Sequence, residues 1–143
     1  MNRRALFLLA AALVLAATVT AGPAQADEKR LVVELNKFEP LEGACRTFFL
    51  FRNATAHDFE SFEMSLAVLD RDGVIDQLLT VQAAPLPAER TTLKLFEIPD
   101  LQCDRIGEVI VHEIPQCAVA GGAAVDCYEV LSLVSLTDAS LVK

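Results

Sequence analysis

Phe59-Glu60-Ser61-Phe62-Glu63-Met64-Ser65-Leu66-Ala67-Val68-Leu69-Asp70-Arg71-Asp72-Gly73-Val74 decides the fold of this chain. Phe62, Met64, Leu66 and Val68 alternate with Glu63, Ser65, Ala67 and Leu69, the period of a strand with one face on a core. Asp70-Arg71-Asp72-Gly73 reads as a turn, because its glycine accepts the left-handed backbone that opens a return strand. Val74 to Val81 is that return strand. Pro85-Leu86-Pro87 closes it, since neither proline can donate to a central ladder.

The same period extends in both directions. Leu31 to Asn36 starts a first strand, ended by Pro40 and Gly43. Cys45, Thr47, Phe49 and Phe51 form one face of a second, with Phe48 and Leu50 on the other. Thr91, Leu93 and Leu95 alternate with Thr92, Lys94 and Phe96 in a fifth strand. Ile106 to Ile114 and Tyr128 to Leu136 are two further strands, separated by Ala118 to Asp126, a small, glycine-containing segment expected to be a mobile loop. Helix signals are weak, with at most a turn around Pro99 to Gln102. About seven short strands punctuated by turns predict an all-β, antiparallel, immunoglobulin-like β-sandwich.

The alternation that closes on Leu69-Asp70-Arg71-Asp72-Gly73-Val74, followed by Leu86-Pro87-Ala88-Glu89, resembles small bacterial immunoglobulin-like domains of the FxLYD kind. The chain beyond its first residues, with Cys45, Cys103, Cys117 and Cys127, also resembles a group of short exported proteobacterial proteins. These motifs belong to the scaffold. The resemblance implies a fold and an exported location, and it carries over no catalytic residue.

The start of the chain carries a different message. Arg3 and Arg4 precede an apolar run from Ala5 to about Val19, and Ala24-Gln25-Ala26 has the small-x-small form of a signal-peptidase site. The run is too short for a bilayer span and breaks at Gly22-Pro23. Residues 1–26 are therefore expected to be a signal peptide, and residues 27–143 a single domain. The strongly apolar run suits the general secretory route better than twin-arginine export. The 117 residues left after cleavage hold ten basic and twenty acidic side chains. That balance argues against nucleic acid and anionic membrane as partners. A periplasmic location is the expectation, with no membrane contact after cleavage.

Four cysteines in an exported chain are expected to form a disulfide framework. Of the three possible pairings, Cys45–Cys103 and Cys117–Cys127 are favoured: the second closes the loop between the last two strands, and the first ties an early strand to the approach of the sixth. On the loop-entropy model these bridges contribute roughly 4 kcal/mol for the long loop and roughly 3 for the short one. Cys-x-x-Cys is absent, which disfavours thiol redox catalysis, and so are the paired ligand spacings of a zinc site.

Candidate sites are sparse. His57, His112 and Met64 are the weak candidates for a metal, because imidazole and thioether suit copper. Met64, however, sits in the core row of its strand, and His112 alternates with Ile110 and Ile114, so that a half-buried structural histidine is expected. None of Ser61, Ser65, Ser132, Ser135 or Ser140 lies in a nucleophile elbow. Asp70 and Asp72, with Glu60 or Glu63, are too few oxygen ligands for a calcium loop, so turn chemistry explains them. Asn53-Ala54-Thr55 matches a glycosylation acceptor, which a bacterial-looking signal makes idle. Phosphate loops and dinucleotide fingerprints are missing. No enzyme and no cofactor are expected. The reading is a periplasmic protein-contact module that meets an unknown periplasmic protein through a free sheet edge or through the loop bearing Ala118, Val119, Gly121 and Gly122. The alternative is a carrier of a metal ion or small ligand.

Overall fold

Residues 30–143 are described by a computed structural model, and the signal peptide expected over residues 1–26 lies outside them. Eight strands follow in chain order: β1 Leu31–Leu41, β2 Ala44–Asn53, β3 Phe59–Asp70, β4 Ile75–Gln82, β5 Arg90–Pro99, β6 Ile106–Val119, β7 Leu131–Ser135 and β8 Ser140–Val142. They build two four-stranded sheets. Sheet I has the order β5-β2-β1-β7, and sheet II the order β4-β3-β6-β8.

The turn after β3 forms as its residues require. Asp70 Oδ1 accepts from the backbone N–H groups of Asp72 and Val74, both at 2.9 Å, and Gly73 takes φ 79°. Residues 54–58 then carry the chain from sheet I to sheet II, and residues 83–89 carry it back. Strands β1, β2 and β5 facing β4, β3 and β6 match the A-B-E and C′-C-F strands of an immunoglobulin-like sandwich.

Two features depart from the expected sandwich. The strands number eight, because the tail adds the short β8. The last two strands also pair in parallel, β7 with β1 and β8 with β6, so that the sheets are mostly rather than wholly antiparallel. The seventh strand starts at Leu131 and not at Tyr128. Asp126 intervenes: its Oδ1 accepts from the N–H groups of Tyr128 at 3.1 Å and Glu129 at 3.0 Å, and its carbonyl from Val130 at 3.0 Å. Those bonds hold residues 127–130 in a turn, a preference of Asx side chains that overrides the apolar run.

The inward rows of both sheets meet in one core. Phe49 and Phe51 come from sheet I, and Phe59, Phe62 and Met64 from sheet II, all at 1% exposure or less. The rings of Phe59 and Phe62 stand edge to face, with centroids 5.5 Å apart. Burial of each such side chain contributes about 1.5–3 kcal/mol. Ala67 and Leu69, assigned by alternation to the outer row of β3, are buried as well. β3 is a central strand between β4 and β6, and its ladders shift register at Ser65/Leu66, Val68/Leu69 and Leu69/Asp70, which interrupts the strict alternation at this end.

Candidate functional site

Both expected bridges are present. Cys45, fully buried in β2, pairs with Cys103 with Cα atoms 5.0 Å apart, and Cys117 of β6 pairs with Cys127 at 6.4 Å. The first bonds sheet I to the short turn that leads into β6, and the second straps the segment after β6 to the turn before β7. Two disulfides fit an oxidising compartment outside the cytoplasm. No helix among the described residues is long and apolar enough to cross a membrane.

The strapped segment is shorter than the sequence implies. Ala118 and Val119 are the last residues of β6, and Val119 is 4% exposed, opposite Phe59 in the ladder. Val119 is therefore a core residue and not part of a contact loop. The remainder is also fastened: Ala120 donates its N–H to the carbonyl of Asp58 at 2.9 Å. Gly121 and Gly122 have φ 81° and 69°, with open space where a Cβ would stand, so side chains there meet backbone strain rather than neighbours.

His57, His112 and Met64 are not brought together. Met64 is buried between the sheets, and His57 lies in the 54–58 crossing, its carbonyl taken by Asn53 Nδ2 at 2.8 Å. His112, expected to be half-buried, is exposed instead and has Nε2 3.5 Å from a carboxylate oxygen of Glu113. Val109 and Val111 form the buried row of this part of β6, so His112 falls with Ile110 in the outward row, next to the ladder shift between Ser65 and Leu66. Among the described residues, no group of three or more His, Cys, Asp or Glu side chains could hold a metal ion. Asn53, the glycosylation-like asparagine, is 2% exposed and its amide is occupied by protein carbonyls.

The feature that alternation left undecided is the outer face of sheet I. The β2–β5 register sets Leu93 opposite Leu50 and Leu95 opposite Phe48. Because Cys45, Thr47, Phe49 and Phe51 turn β2 inward, the leucines of β5 must point out, and Leu93 and Leu95 are 52% and 47% exposed. They form an apolar band with the half-buried Phe48 and Leu50. Ion pairs bracket the band. Arg46 bridges Glu39 at 3.1 Å and Glu97 at 2.9 Å on one side, and Arg52 meets Glu34 at 3.1 Å on the other. The Asn36 amide, 2.7 Å from Glu34, and then Arg52 hold the Glu34 carboxyl below its ordinary value of 4.5. Glu97, and then Glu39, push Arg46 above its own.

Charge is divided between the sheets. The strands of sheet I carry Lys37, Arg46, Arg52, Arg90 and Lys94 against Glu34, Glu39 and Glu97. Those of sheet II carry Glu60, Glu63, Asp70, Asp76, Glu108 and Glu113 and no lysine or arginine. The charged side chains on the strands of sheet II are thus all acidic, while those on the strands of sheet I carry a basic excess. No family model, curated protein or solved structure matches this chain.

Proposed function

We propose that this chain is an exported, periplasmic and non-enzymatic β-sandwich that works through protein contacts, made on the outer face of sheet I and along its β5 edge. The observation that carries this reading is the band of Phe48, Leu50, Leu93 and Leu95, large apolar side chains held on the solvent side of a rigid sheet. Such a band beside a free edge offers a partner both backbone pairing and apolar contact. The two bridges support the exported location, and the Asp70–Gly73 turn with the proline-containing crossing supports kinship with FxLYD-like domains.

A photo-crosslinking residue at Leu95, and separately at Ala124, tests the reading in the native cell. A discrete protein adduct through position 95 is the expected result. An adduct through 124 alone moves the contact to the strapped segment, and a chain that stays uncrosslinked at 95 while exported and folded overturns the reading. Intact mass of the exported product checks the compartment: it should begin at Asp27 and be four hydrogens light.

A further inference from the structure

Sheet I ends at β5 and sheet II at β4, and the two free edges lie on the same side of the sandwich. Gln77 Nε2 of β4 donates to the carbonyl of Pro99 at 3.0 Å, and Lys94 Nζ of β5 donates to the carbonyl of Ala84 at 3.2 Å. These contacts also show that β4 and β5 run antiparallel, since the start of one neighbours the end of the other. The edges are eight and ten residues long. Exposed edges of this length are normally blunted by proline or by outward charge. β4 contains no proline, lysine or arginine. The charges and the proline of β5 are placed toward its ends or drawn away from the edge: Arg90 opens the strand, Pro99 closes it, Glu97 pairs with Arg46 and Lys94 is turned back onto the crossing segment. Between them both edges present large apolar side chains, Ile75 and Leu78 on β4 at 58% and 63% exposure and Leu93 and Leu95 on β5.

We propose that this chain forms a closed two-fold dimer in which the β4 edge of each copy pairs with the β5 edge of the other. The proposal rests on the contact reading above, with a second copy of the chain as the partner. Charge favours this pairing over the alternatives. β4 carries Asp76, 3.8 Å from Arg105, as its one charged residue, and β5 carries Arg90 and Lys94 against Glu97. Crossing the edges sets the acidic group of β4 beside the basic excess of β5. Geometry selects it too. A two-fold axis parallel to the strands, placed at this side, brings both edges of one copy to both edges of the other. It also preserves strand direction, so each new ladder is antiparallel. Two continuous eight-stranded sheets result, with the leucines of β5 beside the apolar residues of β4.

The test is sedimentation velocity and native mass spectrometry of the exported protein with both bridges formed, across a wide concentration series at low and high salt. The expected result is a doubled mass whose dissociation constant rises with salt. Leu78→Lys and Leu93→Glu should each restore the monomer mass and keep a cooperative melting transition, with a midpoint that no longer depends on protein concentration. An equimolar mixture of the two variants should recover a mixed dimer, because one contact then joins two intact edges. A monomer at every concentration, or a dimer that neither substitution weakens, overturns the proposal, as does a mixture that fails to pair. A monomer with a foreign adduct at Leu95 removes the dimer and keeps the contact reading; a monomer without any adduct removes both.

Discussion

The side-chain amide of Asn53 lies 3.0 Å from the carbonyl oxygen of Leu86, and so joins the last residue of sheet I's β2 to the segment that returns from sheet II. The same Nδ2 meets the carbonyls of His57 at 2.8 Å and Pro87 at 3.1 Å, while Oδ1 accepts from the backbone and hydroxyl of Thr55 at 3.0 and 2.7 Å. Leu86 in turn bridges Phe59 through backbone bonds of 3.0 and 3.1 Å. One buried side chain therefore fastens both crossings at this end of the sandwich.

Asn53→Ala removes the donor to the carbonyl of Pro87 and the acceptor for the buried N–H of Thr55, and an unmet buried polar group costs about 1–3 kcal/mol. Urea unfolding should show a loss of about 2–3 kcal/mol. Asn53→Asp should lose at least as much, because a carboxylate would face three carbonyl oxygens. Stability within a few tenths of wild type for the aspartate variant would refute this account.

Replacing Cys45 and Cys103 together by alanine should lower stability by about 4 kcal/mol, and replacing Cys117 and Cys127 by about 3. Both losses together are comparable with the whole stability of a domain, about 5–15 kcal/mol. The reduced protein should therefore unfold at a much lower urea concentration than the oxidised protein. Circular dichroism of the oxidised and reduced forms gives the answer directly.

Glu34 makes stability depend on acid. Its carboxyl is held below its unfolded value by Asn36 and Arg52, so the stabilisation is complete above about pH 5 and is lost as pH falls through the folded value. Glu34→Gln should be less stable than wild type at pH 7, and the gap should narrow below the ordinary value of 4.5. Parallel curves of urea midpoint against pH would show that the pair contributes nothing.

Gly107 is the glycine whose place is set by a neighbour. A Cβ there would stand 2.6 Å from the carbonyl oxygen of Asp70 and 2.8 Å from Cα of Arg71, backbone atoms at the ladder shift between Leu69 and Asp70. Gly107→Ala should cost about 1–3 kcal/mol through the displacement it forces. A variant as stable as wild type would mean that this close approach relaxes freely.

Much of the architecture was legible because strands report themselves locally. β2 and β3 have a core row and an outer row, the Asp70–Gly73 turn has the side chains its backbone bonds require, and the spacing of four cysteines favoured the pairing that forms. The misplaced elements share a cause. Val119 and His112 look like loop and half-buried strand residues, but their positions depend on where β6 meets β3 and where that ladder slips. The leucines of β5 carry the same ambiguity, since a period of two defines two faces without naming the inner one.

The class of fold, its turns and its cysteine framework follow from the chain alone, through backbone preferences and side-chain alternation over a few residues. Which residues face outward on β5, that the strand-borne charge of sheet II is all acidic, and that both free edges share one side emerge when the strands pack. Those properties are relations between strands far apart in the chain. They are settled by the register of one strand on another, and no single strand encodes them.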